Sequence, residues 1–98
     1  MQMVWKAVYK VPGGKLVKVE LQQEGGKISW VKITGDFFVH PEDALVGLEL
    51  ALIGCAVEQN AIIQRLEAKI KHLGCQLVGF TATDIAKAIE MAKQAESE

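Results

Sequence analysis

Pro12-Gly13-Gly14-Lys15 comes nearest in this chain to a ligand site by residue type, because paired glycines expose backbone N–H groups and a lysine adds positive charge. Its spacing fits neither familiar nucleotide motif, since it precedes a strand pattern and not a helix. The local sequence therefore favours a plain turn, with Lys15 as the side chain whose charge reaches a neighbouring anion. Asp36 and His40, four residues apart, invite a metal or acid–base pair. A capping aspartate and a surface histidine beside Pro41 explain them without chemistry. His72 suits the C-terminal end of a helix, where the dipole favours a cation, and its nearness to Cys75 is a weak signal by itself. Ser29 falls in a strand and Ser97 in a tail, and neither has an evident base. No catalytic residue and no metal set emerges.

These residues must be held by elements that the hydrophobic periodicity outlines. Residues 4 to 11 alternate Trp5, Ala7, Tyr9 and Val11 against Val4, Lys6, Val8 and Lys10, the pattern of a strand with one mostly polar face. Lys15 to Gln22 repeats it more clearly, with Val17, Val19 and Leu21 on one side. The glycines of Gln23-Glu24-Gly25-Gly26-Lys27 suit a tight hairpin, so Ile28 to Thr34 should return antiparallel and complete a meander of about three strands.

The alternation breaks at Ile33-Thr34-Gly35-Asp36-Phe37-Phe38-Val39-His40-Pro41. Gly35 permits a sharp turn because it can adopt positive φ, and Asp36 offers a short carboxylate to nearby N–H groups. Phe37 and Phe38 must point to opposite sides of an extended chain, so one enters the core and the other covers a second surface. Pro41 fits a first helical turn, with Glu42 and Asp43 at the positive end of the helix dipole.

From Pro41 the period turns helical. Ala44, Leu45, Leu48, Ala51, Leu52 and Cys55 form one stripe, and Val46, Leu50 and Ile53 form a second on another side, more apolar surface than a small sheet hides. A second helix is expected over Glu58 to Leu73, stopped by Gly74. Cys75 to Phe80 is either a brief edge strand or a packed connection. Thr81 and Asp84 resemble a capping box that opens a third helix to about Lys93, and 94–98 read as a polar tail that frays.

Ninety-eight residues amount to one small domain, and a formal charge of −1 invites no nucleic acid. No apolar run spans a bilayer, and Met1-Gln2-Met3-Val4-Trp5-Lys6 lacks the apolar block of a signal peptide, so a cytoplasmic chain is expected. Cys55 and Cys75 are too few for a disulfide scaffold. A helix over 58 to 73 would set them roughly 24 Å apart, so two reduced, buried thiols are expected.

The order Tyr9-Lys10-Val11-Pro12-Gly13-Gly14-Lys15-Leu16-Val17-Lys18-Val19, then Ile33-Thr34-Gly35-Asp36-Phe37-Phe38-Val39-His40-Pro41-Glu42-Asp43-Ala44, resembles the small accessory domain of lipoate-protein ligases, over residues about 9 to 92. In bacteria that domain typically follows the catalytic domain, and in archaea it can be a separate chain, which this sequence matches best. The resemblance implies an α+β fold, an antiparallel sheet packed by three helices, related in shape to the iron–sulfur scaffold (SufE/NifU-like) fold.

It also implies a large catalytic subunit as partner. That subunit binds lipoate, ATP and Mg2+, forms lipoyl-adenylate, and transfers the lipoyl group to a lysine of an acceptor domain. The family's nucleotide and lipoate motifs, with its catalytic lysine, belong to the large subunit, so this chain should bind no cofactor alone and be inactive by itself. On this basis Gly13, Gly14 and Lys15 are the candidate ligand-proximal loop, Lys15 being nearest the adenylate phosphate. Phe37, Phe38, Val46, Leu50 and Ile53 are the candidate partner interface, and Gly35 and Asp36 the structural turn. Two rivals differ in class. An iron–sulfur scaffold needs thiolates that two separate cysteines do not supply, and a self-assembling domain would bury the same apolar stripe in a homodimer.

Overall fold

The period-two alternation becomes an antiparallel meander. In the computed structural model, which describes residues 3–97, β1 (Trp5–Lys10), β2 (Leu16–Glu24) and β3 (Lys27–Gly35) form one sheet in the order β1-β2-β3. Met1 and Gln2, at the start of the segment expected to lack a signal peptide, and Glu98, at the end of the polar tail, lie outside the described residues. Val17, Val19 and Leu21 of β2 are fully buried, as the alternation requires.

The hairpin between β2 and β3 contains an irregularity that pattern alone does not show. Gln22 pairs with Trp30 while Gln23 pairs with Ile28, leaving Ser29 as an extra residue. This bulge resets the alternation, so Ile28 faces inward together with Val31 and Ile33. The free edge of β3 is covered. Ile28 donates to the Cys55 carbonyl at 2.8 Å and Ile33 donates to the Glu49 carboxylate at 2.7 Å, which occupies backbone groups that would otherwise template another strand.

After Gly35 the chain leaves this sheet. A short β4 (Phe38–His40) pairs antiparallel with β5 (Gln76–Val78) in a separate two-stranded ribbon. The expected count of about three strands thus holds for the main sheet and omits the ribbon. Three-residue strands carry too little alternation to announce themselves, and their pairing joins segments far apart in sequence.

α1 (Ala44–Leu52) begins three residues after Pro41, correcting the expectation that Pro41 lies in the first helical turn. Ala44 donates to the Pro41 carbonyl at 3.0 Å and Leu45 to the Glu42 carbonyl at 3.3 Å, so Pro41 to Asp43 form a tight turn that winds into the helix. Asp43 occupies the N-cap position without a side-chain capping bond, and the first turn of the helix holds no acidic residue. Buried Ala44, Leu48 and Leu52 seat α1 against β3.

α2 (Gln59–Leu73) buries Ile62 and Leu66, and Gly74 ends it in the left-handed conformation, as expected. Arg65 on α2 donates to the Ala51 carbonyl at 3.2 Å, tying the C-terminal end of α1 to its neighbour. α3 (Ala82–Ser97) packs on β1, β2 and α2 through Ile85, Ala86, Ile89 and Ala92. It runs beyond Lys93, through residues expected to be a fraying tail. Alanine, glutamine and glutamate are good helix formers, so a polar segment continues a helix already nucleated by packing.

The start of α3 is the clearest local success of sequence logic. Asp84 accepts from the Thr81 N–H at 2.8 Å and the Thr81 hydroxyl at 3.0 Å, while the Asp84 N–H donates to Thr81 Oγ1 at 3.3 Å. Aspartate therefore closes the box despite being shorter than the usual glutamate. Asp84→Ala removes the acceptor and is expected to cost about 1 kcal/mol, with Tm falling about 4–8 °C in calorimetry.

Candidate functional site

Three segments distant in sequence meet around Gly35. The 11–15 hairpin closes through Gly14 N–H to the Val11 carbonyl at 2.8 Å and Val11 N–H to the Lys15 carbonyl at 3.0 Å. Lys15 N–H reaches the Gly79 carbonyl at 3.4 Å, and Leu16 N–H donates to Asp36 Oδ1 at 2.7 Å. Phe37 then stacks on Phe80, with ring centroids 4.0 Å apart and planes 29° apart. The stretches containing Lys15, Asp36 and Phe80 form one junction.

Two glycines make this approach possible. A Cβ on Gly35 would fall on the Leu16 carbonyl oxygen and within 2.7 Å of the Phe37 ring, so close contact, as well as the turn, excludes a larger residue there. Gly79 has φ +94, and a Cβ on it would meet the Lys15 stem at 2.6 Å. The aliphatic part of Lys15 therefore lies over Gly79.

The glycine-rich loop does not hold out the open amides that its composition implies. Gly14, Lys15 and Leu16 each donate their N–H within the chain, and the Lys10 ammonium is bonded to the Gly14 carbonyl at 2.9 Å. The structure thus corrects the premise of freely exposed amides at Gly14 and Lys15. What the loop offers outward is the charge of exposed Lys15. Asp36 is engaged with Leu16 N–H, which explains it without pairing it to His40; His40 is exposed on β4, opposite Gln76.

The two phenylalanines separate as strand geometry demands. Phe37 is half-buried on Phe80 and belongs to this chain's own packing, whereas Phe38 is 60% exposed. Opposite Phe38 on the ribbon stands Val78, also exposed, a neighbour that sequence inspection does not single out because β5 is undecided there. Between Phe38 and α1 lies an open cleft of about 310 Å3 lined in part by Gly35, His40, Glu42 and Leu45.

On α1, Val46 is 55% and Leu50 66% exposed, and Ile53 just past the helix is exposed as well. The second apolar stripe is therefore uncovered by the sheet. Leu73 of α2 lies over Gly47, where a Cβ would meet it at 2.9 Å, and is itself exposed beside that stripe.

Cys55 and Cys75 are both buried free thiols. Burial pushes the Cys55 thiol above its ordinary value, the Arg65 guanidinium pulls it back and Glu58 adds to the rise. Among the described residues no group of three or more His, Cys, Asp or Glu is placed to hold a metal ion, and no helix is long and apolar enough to cross a membrane.

The fold, with its main sheet, ribbon and three helices, defines an α+β domain of one recognised kind. The chain belongs to the family described as bacterial lipoate protein ligase C-terminus, which matches residues 5–89. It is similar to lipoate-protein ligase A subunit 2 of Thermoplasma acidophilum, with 38% identity over 65 residues covering 65% of this chain and 68% of that protein. A solved structure of a chain from the archaeal lipoylation system of Thermoplasma acidophilum, a bi-partite lipoate protein ligase and its E2 lipoyl domain, superimposes with a TM-score of 0.76. That match has 29% identity and covers 91% of this chain and 97% of the other.

Gly35→Ala should lower stability by about 2 kcal/mol or more, because the backbone must move away from Leu16; urea denaturation checks this. A raised folded-state thiol value stabilises the fold below the ordinary value of 9.0, and that contribution is lost as pH climbs through the raised value. Stability should therefore fall more steeply above pH 9.0 in the parent chain than in Cys55→Ala, measured by chemical denaturation along a pH series.

Proposed function

We propose that this chain is the accessory subunit of a two-chain lipoate-protein ligase. It supports ATP-dependent activation of lipoate to lipoyl-adenylate by a large catalytic subunit in the cytoplasm, before transfer to a lysine of acceptor proteins. ATP, Mg2+ and lipoate are bound at the large subunit, and the present chain contributes a docking face and one cation. The observation that carries this reading is the uncovered stripe Val46, Leu50 and Ile53 on a fold of the lipoate ligase C-terminal family. The subunit rank of its Thermoplasma relative supports it.

Large aliphatic side chains left in water on one helix face gain about 1.5–3 kcal/mol each when fully covered. A few such residues commonly dominate a protein interface. Phe38 and Val78, exposed side by side on the ribbon, extend the apolar surface available to the partner. Phe37 contributes indirectly, since its stack on Phe80 holds the turn from which Phe38 projects. In the closed assembly Lys15 is the residue nearest the adenylate phosphate, as a point charge supported by its stem over Gly79. Closure of this kind orders loops and excludes water around an activated intermediate.

A kinship in shape with iron–sulfur scaffolds belongs to the same proposal and brings no cluster chemistry with it. Both thiols are buried, and clusters are held by several thiolates. The scaffold and self-assembling alternatives are not favoured.

Mixing this chain with its large subunit and measuring lipoate-dependent adenylate formation tests the assignment; a large subunit equally active alone rejects it. Phe38→Ala and Leu50→Asp are expected to weaken the complex at least about ten-fold in titration calorimetry. Lys15→Met, which keeps the stem over Gly79 and removes the charge, is expected to slow activation about ten-fold or more with the complex intact. Lys15→Ala should act in the same direction.

A further inference from the structure

The main sheet has a second face that no helix of the described residues covers. Its inner face, built on Val17, Val19, Leu21 and Ile33, is buried against the helices. The opposite face follows from the register: Lys6, Glu20 and Lys32 form one row across the three strands, and Val8, Lys18 and Thr34 form the next. Lys10 stands beside Leu16, and Gln22 beside Trp30. Val8, Leu16 and Trp30 are exposed between the charges.

This face concentrates positive charge in a chain whose formal net charge is −1. It carries Lys6, Lys10, Lys18 and Lys32, with Lys27 at its hairpin end, against the two carboxylates Glu20 and Glu24, so the rest of the chain is net acidic. Glu20 is held by Lys18 at 3.5 Å, and among the described residues neither Lys6 nor Lys32 has an ion-pair partner. Like charges crowded on one sheet face repel one another, so the arrangement disfavours the isolated chain slightly and favours contact with an anionic surface.

The α1 stripe and this face differ in the partner each suits. Uncharged aliphatic surface matches a lasting subunit interface, whereas complementary charge around a modest apolar centre speeds encounter and permits release. A two-chain ligase meets one permanent partner and one transient protein, the acceptor. Resting on the accessory-subunit reading, we infer that the open face of the β1-β2-β3 sheet is the docking surface for an acidic side of the lipoyl-acceptor protein. A single-stranded nucleic acid fits less well, because among the described residues Trp30 is the face's only exposed aromatic, Glu20 and Glu24 interrupt the lysines, and the chain as a whole is not basic.

The test uses the reconstituted two-chain ligase and follows transfer to the acceptor domain at ionic strengths of about 0.01 M and about 0.15 M. Lys6→Glu with Lys32→Glu should raise the KM for acceptor about ten-fold at low salt and leave kcat unchanged, and the gap should narrow at higher salt. The paired replacement Lys6→Arg and Lys32→Arg should behave as the parent. An unchanged KM in the glutamate variant overturns the inference. Loss of association with the large subunit in that variant also overturns it, by assigning the face to the subunit interface. So does binding of a labelled single-stranded oligonucleotide that the variant abolishes while acceptor KM stays constant. Failure of the accessory reading registers separately and earlier, as adenylate formation indifferent to the parent chain before acceptor is added, and it removes this inference as well.

Discussion

The close approach of Gly35 to the Leu16 carbonyl, locked by Asp36 accepting from Leu16 N–H at 2.7 Å, is the constraint from which the rest follows. It pins the end of β3 to the start of β2 and fixes the angle at which the chain leaves the sheet. From there Phe37 falls inward onto Phe80 and Phe38 must point outward, because neighbouring residues of an extended chain alternate. The same turn delivers β4 to β5, and through β5 it brings Gly79 under Lys15. One backbone contact that tolerates no Cβ thus sets the relative position of a cation, an exposed aromatic ring and the first helix.

Surface chemistry is divided in a way that a small core makes necessary. A chain this size has room for one buried layer, and β2 with the inner sides of α1 and α3 fills it. α1 cannot turn its second stripe inward without expelling the first, Ala44, Leu48 and Leu52, from the core. Val46 and Leu50 are exposed by geometry, since a helix that is apolar on two sides needs two surfaces to cover it. The sheet's outer face meets the opposite condition: its lysines would each need a buried partner to be covered by a helix of this chain, and the elements of the described residues supply none.

Much of this was legible in the residues themselves. The meander, the α2 stop at Gly74, the capping box at Thr81 and Asp84 and the uncovered α1 stripe all follow from short-range patterns, in which period, cap or turn chemistry lies within a few residues. What escaped is non-local or balanced. The β4–β5 ribbon joins residues near 39 to residues near 77, and neither segment is long enough to show a period. The bulge at Ser29 becomes visible only as a slipped register. Pro41 satisfies the rules for a first helical turn, yet the i→i−3 bonds of the preceding turn delay the helix to Ala44. Composition misled at Gly14, whose N–H suggests an anion cradle until the fold shows it closing the hairpin.

The engaged amides from Gly14 to Leu16 limit what the junction can bind. A phosphate cradle works because several N–H groups converge without internal partners, and here three consecutive residues from Gly14 to Leu16 have theirs engaged. Engaged within the chain, these three amides do not converge on an anion. The loop can present one ammonium group on a stem braced by Gly79, at a position set by the Gly35 turn. A single oriented charge binds an anion weakly in water but acts strongly where other walls exclude solvent and supply the remaining contacts. In the proposed assembly Lys15 would add such a charge to a site built on the large subunit. Under the accessory-subunit proposal the junction would act as half a site, and the exposed apolar surfaces of α1 and the ribbon would bring the other half to it.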